Sequence, residues 1–203
     1  MPSNPVKIAI NGFGRIGRAA FKIIQDKENL QVVAINDLTD PNTLVHLLRY
    51  DTAYGKYPHD VHLEDDYLVT DDKKSKLLSE KEPAKLPWKE MEIDVVLECT
   101  GRFVKDGASR AHIEAGANAV VVSAPTKGSG DIKIYLKGVN DNNYKGEDII
   151  SNASCTTNCI APAIAVIHST LGVKKAGLTT IHAMTSTQNL VDGPHKDLRR
   201  ARA

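Results

Sequence analysis

VKIAINGFGRIGRAAFKII (Val6–Ile24) decides the fold. Its apolar opening reads as a buried strand. Gly12, Gly14 and Gly17 then stand in a G-x-G-x-x-G pattern. Helical spacing follows, with Ile16, Ala20, Ile23 and Ile24 expected on one face. Such glycines permit a tight turn and close approach of a pyrophosphate, which rests on the helix N-terminus. A second strand, QVVAIND (Gln31–Asp37), ends on an acid 20 residues after Gly17. Asp37 is placed to accept hydrogen bonds from ribose hydroxyls, and its charge repels the extra phosphate of NADP, so NAD is favoured. The backbone N–H groups of Arg15 and Ile16 are expected to face the diphosphate; the Arg15 side chain is equally a solvated charge. The bland alternative is glycines that only pack a helix on a sheet. Strand, helix, second strand and terminal acid together outweigh it.

The alternation continues outward. TDPNTLVHLLRYD reads as a helix with Thr39 or Asp40 as cap and Pro41 in its first turn. In the polar stretch from Asp51 to Trp88, YLVT and KLLSE read as short edge strands. DVVLECTG (Asp94–Gly101), ending in Gly, and AVVVSAP (Ala119–Pro125) read as strongly apolar strands, as in a sheet covered on both faces. GASRAHIEAGA reads as a helix ending near Gly116, and IKIYLKGVN, DIISNAS and LTTIHAMT (Leu178–Thr185) as further strands. The class is α/β, with a Rossmann-type, doubly wound, mostly parallel sheet. Ligands of such sheets bind beyond the carboxyl ends of strands. Thr100, Gly101 and Ser123 end strands, as cofactor contacts or as plain turn formers.

Composition narrows the setting. The chain has 203 residues, is 41% hydrophobic and 25% charged, and carries a net charge of +1, so nothing points to nucleic acid or a membrane surface. No apolar run approaches the roughly 20 residues that span a bilayer. MPSNPVK has no secretory h-region. Cys99, Cys155 and Cys159 match no metal-ligand spacing and no even disulfide set, so no metal and a reducing, cytoplasmic compartment are expected. The final HKDLRRARA carries no turn or cap and reads as a chain cut in mid-segment.

Chemistry enters at NASCTTNC (Asn152–Cys159), where a strand-like run gives way to a helical one. A cysteine at a helix N-terminus sees partial positive charge, which lowers its pKa, and the thiolate is the nucleophile. His182 ends an apolar run and is the best-placed base; the other histidines lie in polar or helical stretches or in the basic tail. Cys159, one turn after Cys155, is expected to be a buried packing residue, and Cys99 an inert core thiol. Ser154, Thr156 and Thr157 offer hydroxyls suited to phosphate, though capping alone also explains them.

NGFGRIGR, AINDL, LLRYDTAYGKY, VVLECTGRF, SAPTK, GVN, SNASCTTNC and TTIHAMT together resemble phosphorylating glyceraldehyde-3-phosphate dehydrogenase. The resemblance runs from Val6 to Ala203, about the first three fifths of the family chain. It implies an NAD-binding domain over residues 1–153 and the start of an α+β catalytic domain over residues 154–203. It implies that Cys155 attacks the aldehyde of D-glyceraldehyde 3-phosphate, that a thioester forms after hydride leaves, and that inorganic phosphate opens it to 1,3-bisphosphoglycerate. His182 resembles the base. Ser154 and Thr156 resemble the inorganic-phosphate contacts; Thr185 and Arg200 (or Arg199, one register away) resemble those to the substrate's own phosphate. Lys81 and Ser123 resemble adenine-side contacts. Gly193–Pro194 stands where NAD-specific members differ from NADP-using ones, in agreement with Asp37. A homotetramer is implied. Erythrose-4-phosphate dehydrogenase shares the cysteine motif, but Thr185, SAPTK and DGP match the glyceraldehyde enzyme better. A non-catalytic NAD-binding module is the alternative if 203 residues is the natural length. An aspartate-semialdehyde-type enzyme would carry a different glycine spacing and cysteine context.

Overall fold

The computed structural model describes residues 4–128 and 130–202, in a sheet that grows outward from β1 (Val6–Asn11). Met1 and Ala203, the outer limits of the two expected domains, lie outside the described residues. Contacts group the chain into two units, Met1–Val166 and Ile167–Ala203. Alternation along β1 sends Ile8 and Ile10 into one apolar layer and Ala9 into the other. After β1 come α1 (Arg15–Gln25), β2 (Leu30–Asn36) and α2 (Pro41–Arg49). Asp40 caps α2 by accepting from the Thr43 N–H at 3.0 Å, and Pro41 fills the first turn, as expected. A small hairpin, β3 (Tyr50–Asp51) and β4 (Gly55–Lys56), leads to a meander of β5 (Val61–Glu64), β6 (Tyr67–Thr70) and β7 (Lys73–Leu78). Then follow β8 (Val95–Glu98), the short α3 (Ala111–Glu114), β9 (Ala119–Val122), β10 (Lys133–Ile134), β11 (Ile149–Ser151) and α4 (Cys155–Leu171).

The large sheet has nine strands in the order β10-β11-β9-β8-β1-β2-β7-β6-β5. Within this sheet, among the described residues, only β5–β6 and β6–β7 pair antiparallel. The chain winds from β1 to β2 on one side and returns to β8 on the other. This is the doubly wound, mostly parallel sheet expected, and its order reverses at β1, where such sheets form their ligand crevice. One layer packs Phe13, Phe21, Ile24, Leu44 and Leu48 around Ile8 and Ile10. The other packs Trp88, Ile93, Val96, Val120 and Ile149 around Ala9 and Ala34.

Four readings are corrected. The buried face of α1 is Gly17, Arg18, Phe21 and Ile24, whereas Ile16 and Ile23 are 54% and 62% exposed. Gly17 sets the contact with β1, and residues four and seven positions on share its face. YLVT and KLLSE lie inside the sheet; β7 joins β2 in parallel, and the unforeseen β5 forms the edge. IKIYLKGVN contributes only β10, because Asn140 closes a loop on it, donating to Ile134 O and accepting from the Leu136 N–H, both at 2.8 Å. LTTIHAMT is not a strand: no described segment pairs with it, and Ile181 is fully exposed.

Candidate functional site

The site begins where β1 runs out. Gly12 has φ +92°, and a Cβ there would lie 2.7 Å from the Thr100 nitrogen. A Cβ on Gly17 would lie 2.1 Å from the Gly12 carbonyl oxygen, so α1 crosses the strand end with only hydrogen between them. Gly14 has nothing within 4 Å and caps α1 without a side-chain hydrogen bond. The first-turn N–H groups of Arg15, Ile16 and Gly17 therefore remain for an anion.

A cleft of about 300 Å³ opens beyond the ends of β1, β2, β7 and β8. Gly12, Gly14, Asp37, Lys81 and Thr100 line it, together with Thr39, read from sequence only as a helix cap, and residues not singled out as site residues: Asn11, Asn36, Leu38, Glu80, Arg102 and Phe103. Asp37 accepts from the Phe13 N–H at 2.7 Å and the Thr39 N–H at 2.9 Å. Burial works against its ionisation, but bonds from the Thr39 side chain and from the backbone of Phe13, Thr39 and Leu38 outweigh it, so the carboxyl sits below its usual range. The open space at Gly14, the N-terminus of α1 and an ionised acid at the rim of one cleft fit a dinucleotide.

Arg15, Ile16, Gly17, Gly101 and Ser123 are not among the residues lining that cleft. The Arg15 guanidinium turns to Asp51, 2.7 Å away, and stacks over the Tyr54 ring. That hydrogen bond, above all, takes the Asp51 carboxyl down to about 2. The Thr100 hydroxyl donates to Glu98 and accepts from the Arg102 N–H. Cys99 lies at the cleft wall just past β8; burial pushes its thiol up to about 11, against a hydrogen bond with Ser123. The thiol is thus held protonated, but at the cleft wall and not inside the core strand expected for it.

The cysteine turn is built from β11 into α4. Ser151, fully buried, donates through Oγ to the Ala124 carbonyl at 2.8 Å and accepts from the Ala153 N–H at 3.1 Å. That bracing holds Ala153 at φ +58°, a left-handed conformation that costs a non-glycine residue about 1–2 kcal/mol. The turn swings Cys155 into the first helical position, where it is exposed. Ser154 is the cap: its Oγ accepts from the Thr157 N–H at 3.0 Å and lies 2.8 Å from Thr157 Oγ1. Thr157, rather than Thr156, is its partner. No described residue of α4 is buried, and Cys159 is exposed, contrary to the packing role expected of it.

In the second unit, His182, Thr185 and Arg200 are all exposed. His182 Nδ1 is within hydrogen-bond distance of the Ala183 carbonyl. Thr185 lies 3.0 Å, hydroxyl to hydroxyl, from Thr187, and its N–H donates to Gln188 Oε1. Arg200 donates through its N–H to the Asp197 carbonyl, while the Arg199 side chain holds the Asp197 carboxylate at 3.0 and 3.1 Å.

Comparison with known proteins gives two family matches. Residues 6–106 match the model described as glyceraldehyde 3-phosphate dehydrogenase, NAD binding domain, and residues 154–203 match the C-terminal domain of the same family. Among curated proteins, the chain is similar to glyceraldehyde-3-phosphate dehydrogenase of Mycoplasma pneumoniae, 48% identical over 99% of this chain and 60% of the relative. The Clostridium acetobutylicum protein of that name is 50% identical over 97% of this chain and 59% of its own length. Glyceraldehyde-3-phosphate dehydrogenase A of Escherichia coli is 45% identical over 97% and 59%. The chain thus spans about three fifths of the length of the curated relatives it matches.

Proposed function

Because the chain belongs to the glyceraldehyde-3-phosphate dehydrogenase family and carries that family's NAD-binding domain, we propose that it serves the NAD-dependent, phosphorylating oxidation of D-glyceraldehyde 3-phosphate. The observation that carries this reading is Cys155, exposed at the first position of α4 and following directly on a nucleotide-binding sheet. Residues 1–153 are then the cofactor domain and residues 154–203 belong to the catalytic one.

Cys155 is the nucleophile. The α4 N-terminus favours its thiolate over the thiol. The sulfur attacks the aldehyde carbon, a C–S bond forms, and the carbonyl π electrons move to oxygen. His182 takes the thiol proton and, with the Cys155 N–H, steadies that oxyanion. NAD, when bound, supplies the hydride acceptor that this oxidation requires. A phosphate oxygen then attacks the Cys155 thioester, the C–S bond breaks, and the thiolate leaves. Ser154 and Thr156 contact inorganic phosphate; Thr185 and Arg200 contact the phosphate of the substrate. Gly12, Gly14, Arg15, Ile16 and Gly17 hold the diphosphate, Asp37 the adenosine ribose, and Lys81, Thr100, Gly101 and Ser123 the remaining edges. A cytoplasmic homotetramer is the assembly this reading carries.

The test is NADH formation by the native gene product with and without inorganic phosphate, using glyceraldehyde 3-phosphate and erythrose 4-phosphate in parallel. Phosphate-dependent turnover that prefers the three-carbon aldehyde supports the reading. Preference for the four-carbon sugar assigns the chain to the erythrose enzyme, and NAD binding without turnover to a non-catalytic module.

Asp37 yields a separate prediction. Asp37→Gly removes the acceptor for the ribose and for the Phe13 and Thr39 N–H groups. It should weaken NAD binding about tenfold, the effect of losing a hydrogen bond to a charged group, and narrow the gap to NADP. Titration calorimetry with both nucleotides checks this; an unchanged ratio of the two affinities shifts the discrimination to another residue.

A further inference from the structure

Beneath the cleft runs a chain of polar groups that, Thr100 apart, the proposed chemistry does not use. It starts at Trp88, whose Nε1–H donates to His112 Nδ1 at 3.0 Å. An indole nitrogen only donates, so Nδ1 is the acceptor and the ring proton sits on Nε2. Nε2–H then donates to Glu98 Oε2 at 3.0 Å, and Asn11 Nδ2 donates to the same oxygen at 2.6 Å. The other oxygen, Oε1, accepts from the Thr100 N–H at 2.8 Å and from the Thr100 hydroxyl.

The far end is equally directional. Asn36 Oδ1 accepts from the Glu80 N–H at 2.8 Å, and its Nδ2 donates to the Glu80 carbonyl at 2.9 Å. That main-chain pair fixes which way the Asn36 amide faces. Its Nδ2 also donates to Asn11 Oδ1 at 2.7 Å, which in turn leaves only Asn11 Nδ2 to face Glu98. Both ends are set by groups that cannot exchange roles, and every remaining donor converges on Glu98. The Glu98 and His112 side chains are wholly buried, and no lysine or arginine pairs with the carboxylate among the described residues.

Asn11, Asn36, Glu80 and Thr100 line the nucleotide cleft; Glu98, His112 and Trp88 do not. The four lining residues end, or closely follow, β1, β2, β7 and β8. Gly12 leans directly on the Cys99–Thr100 peptide that Glu98 grips. We propose that Glu98 is a positioning residue of the NAD site: it touches no cofactor, and it holds the Asn11–Gly12 and Thr100 turns at the separation a dinucleotide needs. This rests on the reading of the cleft as an NAD site.

The test is NAD titration by calorimetry on the 203-residue chain, well below each variant's melting midpoint. In Glu98→Gln the amide nitrogen must face either the Thr100 N–H or the Asn11 and His112 donors, and none can invert. NAD affinity should fall about tenfold, the effect of one buried donor left unmatched. If that variant does not fold, His112 decides. His112→Leu removes a donor to Glu98 at a distance from the cleft and should also weaken NAD about tenfold. His112→Gln can offer its oxygen to Trp88 and its amide to Glu98, and should restore affinity to within about threefold of the wild type. A purely structural network lowers the melting midpoint and leaves affinity alone. Wild-type NAD binding with Glu98→Gln within twofold overturns the proposal; so does His112→Leu within twofold where His112 decides. A wild-type chain that binds no NAD overturns the cleft assignment, and this inference with it.

Discussion

Serine in place of Cys155 is expected to cut phosphate-dependent NADH formation in the native gene product by about a thousandfold or more, as loss of a covalent nucleophile does. A serine hydroxyl stays protonated at neutral pH, so the attack on the aldehyde loses its driving charge. The side chain is exposed at the start of α4, and serine is close in size, so the melting midpoint should move little. NAD affinity should stay within about twofold, because Cys155 does not line the nucleotide cleft. Initial rates and calorimetry on the same preparation separate the two quantities. Turnover close to the wild type removes Cys155 as nucleophile.

Gly17→Ala is expected to harm fold and cofactor binding together. Its Cβ would stand 2.1 Å from the Gly12 carbonyl oxygen and 3.1 Å from Ile10 Cγ2, so α1 must back away from β1. Overpacking of this kind costs about 3 kcal/mol. In a domain of this size that lowers the melting midpoint by about 6–12 °C. The retreat also carries the first-turn N–H groups out of register with the cleft, and NAD binding should fall below detection in calorimetry. Gly14→Ala supplies the contrast, since nothing lies within 4 Å of that added Cβ. It should melt like the wild type and weaken only the nucleotide. Equal melting of the Gly17 and Gly14 variants would refute the assignment of Gly17 to helix–strand contact.

Much of the first unit is legible in the sequence because its signals are local. The glycine spacing, the Asp40–Pro41 start of α2 and the apolar runs of β8 and β9 each depend on neighbours a few residues away. The errors arise where a distant partner decides. Ile16 and Ile23 satisfy helical spacing, but Gly17 chooses which face meets the sheet. YLVT reads as an edge until β5 covers it. LTTIHAMT has strand composition and finds no strand beside it among the described residues. In the site, Asp37 and the glycines follow from spacing. The Glu98–His112 network does not, because it joins residues far apart in sequence. A faint signal existed all the same: Asn11, Asn36 and Glu98 are polar residues closing apolar strands, where an unpartnered side chain is costly to bury.

Trp88 is the only tryptophan in the chain, and it is fully buried. The molecule therefore contains its own optical gauge. Excited beyond the absorption of the six tyrosines, its emission should come from a single indole screened from solvent, at short wavelength and poorly quenched by acrylamide. A shift to the red signals that the Trp88 layer has opened, whatever the other layer is doing. Unfolding of one half of the sandwich can thus be timed in a cuvette without attaching a dye.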